Sequence, residues 1–511
     1  MATVPDLTPI QLAFTEAVRQ FKSKLKNDQL YADILKTKSI DEVYDKTDAL
    51  QIELGKQGRI RNLSKIRPFL EGLRSYADVI DTFIQVKPDV LALIWGPIKL
   101  LIQWTASLTQ SMDAIINTAA EIGSLLPDFK LMATMFGHNE HIKDVLVLFF
   151  RDILDFYAVT LKFFASPHWR FMFEALWPSQ KDRIKLIIDN IGRSTNLMRT
   201  KVSLEHIREE REHRQRASDH YESTKKSSTR QEYNIIKTDI SPKSYAADLY
   251  RIRGQVCAET GSWLKQDSGF KKWLDVEDDS RKILWLCGIP GAGKTHLASV
   301  AIDYATSTKT IFAFISHTDK NNTSALSIMH SLIFQLTSED EFLQAVLCGL
   351  SRKRLNDSLD VAVGVIQTLL NSTDPISIIV DGVDEIDSFE REKLLKNLRD
   401  ITTVCKKTRL LISSRAEHDI STILSPISST IRVDTHNTES IQIFIDNWAE
   451  HWFSARDFLP ADKSEIEDLF KPLALKAKGI FHARTASGSR LLFNRDVSVR
   501  QDYAKQHRRT R

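Results

Sequence analysis

The sequence predicts a multidomain α + α/β protein: an all-helical N-terminal bundle, an α/β domain built on a parallel sheet, and a short helical extension. Three observations predict it. Over residues 1 to about 200, apolar side chains recur at helical spacing with few strand signals. From Ile283 onward, apolar runs of strand length alternate with helical segments, the pattern of a parallel sheet crossed by helices. Between them lies a stretch centred on REEREHRQRASDHYESTKKSSTRQ, dense in charge of both signs and almost without apolar residues, which reads as a linker or a solvated helix. The expected divisions are 1–202 for the bundle, 203–244 for the charged linker, 245–437 for the α/β domain, 438–482 for the extension and 483–511 for a basic tail.

In the bundle, Thr8-Pro9-Ile10-Gln11 predicts a helix start, with Thr as cap, Pro at the first helical position and Gln three residues after the cap. Ile10, Phe14, Phe21 and Leu25 mark one face of that helix. Helical segments follow at Ile66 to Phe83, at Ala114 to Leu126 and from Ile142, with a break expected at Trp95-Gly96-Pro97. From Ile142, Asp144, Arg151, Asp155 and Lys162 fall on one wet stripe of a helix otherwise lined by Leu, Phe and Val, which predicts a buried bundle helix. The aromatic set Phe149, Phe150, Phe156, Phe163, Phe164, Trp169, Phe171, Phe173 and Trp177 reads first as core packing. A surface released to a membrane or a partner helix is the other reading, and nothing in the sequence favours it.

The α/β domain begins with ILWLCGIPGAGKTHLASV, an apolar run entering a glycine-rich turn and then a helix, Thr295 to Tyr304. Gly288, Gly293, Lys294 and Thr295 satisfy G-x-x-x-x-G-K-[ST]. In that pattern glycines let backbone N–H groups converge on phosphates, the lysine reaches the terminal ones, and the hydroxyl holds Mg²⁺ at the N-terminus of the helix. Gly288, Pro290, Gly291, Ala292, Gly293, Lys294, Thr295 and His296 are therefore the expected nucleotide contacts.

Strands are next expected at Thr310 to Ser316 and Ile376 to Val380, with helices at Ser324 to Leu336 and Asp360 to Leu370 between them. The second of these strands delivers Asp381-Gly382-Val383-Asp384-Glu385 to the ligand edge of the sheet. Asp381 is placed to hold Mg²⁺ through water, and Asp384 or Glu385 to orient or deprotonate an attacking water. Asp387-Ser388-Phe389-Glu390 predicts a second capping box, for a helix to about Val404, and a strand at Thr408 to Ser413 brings Arg415 to the same edge, where it could meet a γ-phosphate. A last strand, Thr430 to Val433, and helices at Ser440 to Phe453 and Lys463 to Ala477 complete the expectation.

Composition narrows the class. Among 511 residues, 42% are hydrophobic and 27% charged, the balance of ordinary globular domains. The net charge is +4, but Arg484 to Arg511 holds eight Lys/Arg against two Asp, +6 by itself, and leaves about −2 for the rest, so the folded part is not a nucleic-acid binder by charge. That tail reads as a disordered, solvated segment. Cys257, Cys287, Cys348 and Cys405 lack metal-ligand spacing and a disulfide pattern, which fits a reducing, cytoplasmic setting. The N-terminus carries no export signal, and the greasiest runs are broken by Pro97 and Lys99, or by Arg151, Asp152, Asp155 and Lys162, so no transmembrane helix is expected.

Taken together, GIPGAGKT, IIVDGVDEID and LLISSR resemble the NACHT class of signal-transducing (STAND) P-loop NTPases, in the nephrocystin-like form common in fungal proteins. Glu259-Thr260-Gly261-Ser262-Trp263-Leu264, with Phe270 and Trp273, is similar to that family's G-T-G-x-W-L lead-in, with Glu259 where a glycine is usual. The resemblance covers roughly Tyr245 to Phe481 and places Arg415 where the family has its first sensor arginine. LIWGPIKLLIQ, ending at Gln103, resembles the helical domain often found ahead of this NTPase. Family members usually continue through a winged helix into ankyrin, WD or tetratricopeptide repeats. No repeat is read here, and a truncated gene model or an isoform is the expected explanation.

The resemblance implies a switch in which ATP or GTP with Mg²⁺ holds one arrangement, and exchange or slow hydrolysis frees another that assembles as a homo-oligomer. The helical domain would then serve as effector or adaptor toward a protein partner, in fungal non-self recognition or cell death. The alternative is a scaffold that nucleotide stabilises without significant turnover. A small-molecule kinase would require an acceptor pocket and a lid, and the sequence identifies neither.

Overall fold

A computed structural model describes residues 8–454, apart from 57–62, 86–87, 137–139, 167–168, 200–203, 279–281, 319–323 and 351–354, together with residue 480. Two compact units divide it, the first ending at Glu232 and the second beginning at Tyr233.

The first unit is helical throughout its described elements. Its opening helix, Pro9–Leu25, starts with the expected capping box: Thr8 Oγ1 accepts from Gln11 N at 3.4 Å, and Gln11 Oε1 accepts from Thr8 N at 3.0 Å. At the centre lies Glu140–Phe164, packed against Pro9–Leu25, Pro88–Thr105 and Trp169–Arg199. Asp144, Arg151, Asp155 and Lys162 form its wetter stripe, while Val145 to Phe150 and Phe156 to Leu161 are buried. The aromatic residues pack as core. Phe163, Phe164, Trp169, Phe173 and Trp177 form one ring cluster, and Phe171 is the exception, exposed to solvent.

The expected break at Trp95-Gly96-Pro97 does not occur, and Pro88–Thr105 runs through it as one helix. All three residues are buried, and a Cβ on Gly96 would collide with the Ile34 carbonyl of the neighbouring helix Asp28–Leu35. The glycine thus marks a helix crossing. Pro97 deprives the preceding turn of one N–H donor. In that turn the buried Tyr157 hydroxyl donates to the Ile94 carbonyl at 2.7 Å. Tertiary packing therefore overrides the local breaking tendency.

The charged stretch is also helical, Leu204–Ile240, and the unit boundary falls within it. Ile207 is buried, and Arg214 places Nη1 2.9 and 3.0 Å from the Asp152 carboxylate oxygens. The same guanidinium donates to Ser194 Oγ and the Asn190 carbonyl.

The second unit holds a five-stranded parallel sheet, ordered β2-β3-β4-β1-β5. Its strands are β1 (Ile283–Cys287), β2 (Lys309–Phe314), β3 (Ile376–Asp381), β4 (Thr408–Ser414) and β5 (Ser429–Arg432). β1, β3 and β4 are buried along their whole length, as a sheet covered on both faces requires. The helices include Lys294–Tyr304, Ala325–Thr337, Leu359–Leu370 and Ser388–Val404, with Glu341–Leu350 as an element the sequence reading did not anticipate.

The second capping box is only half formed. Asp387 caps Ser388–Val404 by accepting from Phe389 N, but Glu390 Oε2 accepts from Ala325 N at 2.9 Å, at the start of a different helix. Register pairs Cys287 with Ser414 and Asp381 with Ser413, so the phosphate-loop motif, the acidic turn and Arg415 emerge at one edge. Beyond β5, Thr438–Ser454 is helical; the helix expected at Lys463 to Ala477 and the tail from 483 lie outside the described residues. Among the described residues, no helix is long and apolar enough to cross a membrane.

Candidate phosphate-binding site

Between β1 and the helix Lys294–Tyr304, the loop from Gly288 to Gly293 turns through two left-handed glycines, Gly291 at φ +78° and Gly293 at φ +85°. Gly293 is the N-cap of the helix, so the loop runs directly into its leading N–H groups and positive dipole end. Lys294 Nζ folds back over the loop and donates to the carbonyls of Gly288 at 3.0 Å and Ile289 at 3.1 Å. Burial lowers its pKa, opposed by Asp384 and Asp381. A phosphate would supply the charge this half-desolvated ammonium lacks.

Asp381, at the end of β3, is 3% exposed, and burial raises its carboxyl to about 6. The facing hydroxyls of Ser413 and Thr295, and the Lys294 ammonium, offset part of that effect. A buried carboxylate beside the Thr295 hydroxyl fits a hard divalent cation, which takes oxygen ligands and favours the ionised acid. Gly382 follows at φ +79°, where a Cβ would collide with the Ile315 carbonyl. Glycine is required there because Ile315 N must reach Asp381 O, at 2.9 Å, to join the end of β2 to β3.

The two carboxylates after Gly382 go to opposite neighbours. Asp384, 5% exposed at its side chain, meets Arg415 beyond β4, with Oδ2 3.0 Å from Arg415 Nε. Glu385 turns to the end of β2, where its Oε2 accepts from His317 N at 3.0 Å and lies 2.9 Å from His317 Nδ1. Arg391, 7% exposed, supports this turn by donating to the carbonyls of Asp384 and Ile386 while its other Nη pairs with Asp419.

All the predicted site residues thus lie at one edge of the sheet. His296, in the first turn of the helix, and Pro290, exposed in the loop, complete the predicted set. Several neighbours were not anticipated. Asn437 Nδ2 donates to the Ala292 carbonyl at 3.0 Å and anchors the loop from behind. Asp434 sits against Gly288, its Oδ1 3.1 Å from where a Cβ would lie. His317 reaches Glu385 across 68 residues, and Arg391 ties the turn to Asp419, 28 residues further on; neither belongs to a local motif.

Residues 259–415 match the family model described as Nephrocystin 3, N-terminal, and residues 64–209 match a domain of unknown function (DUF7708). The chain is also similar to the vegetative incompatibility protein HET-E-1 of Podospora anserina, with 23% identity over 226 residues. That alignment covers 41% of this chain and 16% of the relative, so it spans a small part of the relative's length. These matches support a NACHT-like architecture of the fungal NLR kind: the Nephrocystin 3 match falls on the α/β unit and the DUF7708 match on the helical region that precedes it in sequence.

Proposed function

We propose that the α/β unit binds ATP or GTP with Mg²⁺ and uses that binding, with slow hydrolysis, as a signalling switch. The observation that carries the proposal is the convergence of the glycine loop, Lys294, Thr295 and the buried Asp381 at one sheet edge. Backbone N–H groups of Gly291 to Thr295 would cradle the phosphates, and Lys294 would leave its two loop carbonyls for them. Thr295 and Asp381 would hold Mg²⁺, which neutralises phosphate charge when bound. Glu385 would accept the proton of the attacking water, and Arg415 would meet the γ-phosphate once it parts from Asp384.

Phosphate contacts made in one arrangement and not in another supply the free energy of such a switch. By analogy with the incompatibility protein, we place the switch in non-self recognition or cell death in the cytoplasm, with homo-oligomerisation on activation and the helical unit as effector or adaptor toward a protein partner. A nucleotide-stabilised scaffold is the second reading, favoured by the engagement of both Glu385 and Arg415 with protein partners.

The deciding experiment measures nucleotide affinity, particle size and phosphate release for the chain and its Lys294→Ala variant. Nucleotide-dependent assembly and release, both lost in the variant, are the expected result. Unchanged affinity in the variant would overturn the site. Thermal stabilisation by ATP with no release would select the scaffold.

A further inference from the structure

We propose that His317 is a positioning residue that holds Glu385 away from chemistry until the nucleotide site is filled. This rests on Glu385 being the proton acceptor for the attacking water. One oxygen of that carboxylate, Oε2, is engaged twice by the same residue, by the His317 backbone N–H at 3.0 Å and by ring Nδ1 at 2.9 Å. The short approach to a carboxylate places the proton on Nδ1, so both groups donate. Two donors engage both lone pairs of Oε2, so that oxygen is not left to accept from a water. They also turn Glu385 toward the end of β2, whereas the loop, Lys294 and Asp381 lie on the side of β1, β4 and β3.

The restraint is built at a rim. The His317 side chain is 76% exposed and that of Glu385 is 32% exposed, so the ring contributes little to the core and is free to swing away. His317 stands three residues beyond the end of β2 and two beyond Ile315, whose carbonyl lies against Gly382 and whose N–H bonds the Asp381 carbonyl. A shift of the Asp381-Gly382 turn on cation and phosphate binding therefore reaches the residue that holds Glu385. In the released arrangement the carboxylate is free to take a proton from water.

The test compares His317→Ala, His317→Gln, Glu385→Gln and the double variant His317→Ala with Glu385→Gln, in the full chain, by single-turnover phosphate release with ATP and Mg²⁺ and by nucleotide affinity. Losing one hydrogen bond to a carboxylate predicts a rise in the rate of the chemical step of about two- to tenfold in His317→Ala, with affinity unchanged within about twofold. His317→Gln, which keeps a side-chain donor, returns the rate toward that of the parent, and the double variant shows no rise. An unchanged or lowered rate in His317→Ala overturns the proposal, provided Glu385→Gln lowers the rate in the same assay. If Glu385→Gln leaves the rate unaltered, the proton-acceptor reading falls first and the restraint with it. Absence of release from both the parent and His317→Ala overturns both.

Discussion

Arg415 engages Asp384 through both its backbone and its side chain: Arg415 N donates to Asp384 Oδ1 at 3.1 Å, and Arg415 Nε lies 3.0 Å from Oδ2. Asp384 is buried and Arg415 half exposed, so the acid fixes the arginine more than the arginine stabilises the acid. The two consecutive carboxylates should therefore separate on mutation. Asp384→Ala is expected to cost about 1–2 kcal/mol of stability, by removing an acceptor used by the segment after β4. Glu385→Gln can still accept from His317, and stability should hold within about 0.5 kcal/mol while hydrolysis falls by about 100-fold. Urea unfolding beside phosphate release checks the pair, and equal stability losses in the two variants would refute the division.

Gly382 carries a second prediction. Its φ of +79° is costly for any residue with a side chain, and an added Cβ would collide with the Ile315 carbonyl. Neither conflict can be relieved without moving the Ile315 N to Asp381 O bond that joins the ends of β2 and β3. Gly382→Ala is expected to destabilise the second unit by about 2 kcal/mol or more. It should also weaken nucleotide binding, because Asp381 moves with the turn. Denaturant midpoints and a nucleotide titration measure the two effects.

Gly96 and Pro97 make opposite predictions from adjacent positions. Gly96→Ala drives a methyl into the backbone of Asp28–Leu35 and should cost about 2–3 kcal/mol. Pro97→Ala restores a helical N–H donor at the expense of a small loss of packing, and stability should stay within about 1 kcal/mol of the parent. A strongly destabilising Pro97→Ala with a neutral Gly96→Ala in thermal unfolding would contradict the crossing described above.

Those two residues also show where sequence reasoning stops. Local signals located the strands, the capping box at Thr8 and the glycine-rich loop after β1, because apolar run length, cap chemistry and glycine spacing act over a few residues. Gly96-Pro97 carries a strong breaking signal, yet its meaning comes from Ile34, which is distant in sequence. Glu390 has the spacing to close a capping box, but it reaches Ala325, 65 residues away. At the site, the positions of Lys294, Asp381, Asp384, Glu385 and Arg415 were legible, whereas the split between Asp384 and Glu385 depends on how a short 3-10 turn, Val383–Glu385, projects successive side chains. His317, 68 residues from Glu385, belongs to no motif.

Arg214 and Asp152 give a pH-dependent prediction for the helical unit. Asp152 is 3% exposed, and burial raises its carboxyl to about 7 even with the Arg214 guanidinium bonded to both its oxygens. A carboxylic acid whose folded pKa is raised binds its proton more tightly in the fold than in the unfolded chain. Its contribution to stability is therefore fully present below the ordinary range near pH 4 and is lost as pH rises through about 7. Arg214 limits that loss by compensating the charge. In Arg214→Met the buried carboxylate keeps no cation, its pKa climbs further, and the variant should lose about 3 kcal/mol at pH 8. At pH 5 Asp152 is already protonated in the parent, so the penalty shrinks to lost packing and the lost bonds to Ser194, Asn190 and Glu210. Asp152→Asn removes the titrating group, and the stability slope between pH 4 and 7 should flatten. Unfolding of residues 1–511 monitored at pH 5 and pH 8 checks both variants; a penalty in Arg214→Met that is equal at the two values would show that the pair acts through shape and hydrogen bonding rather than through charge.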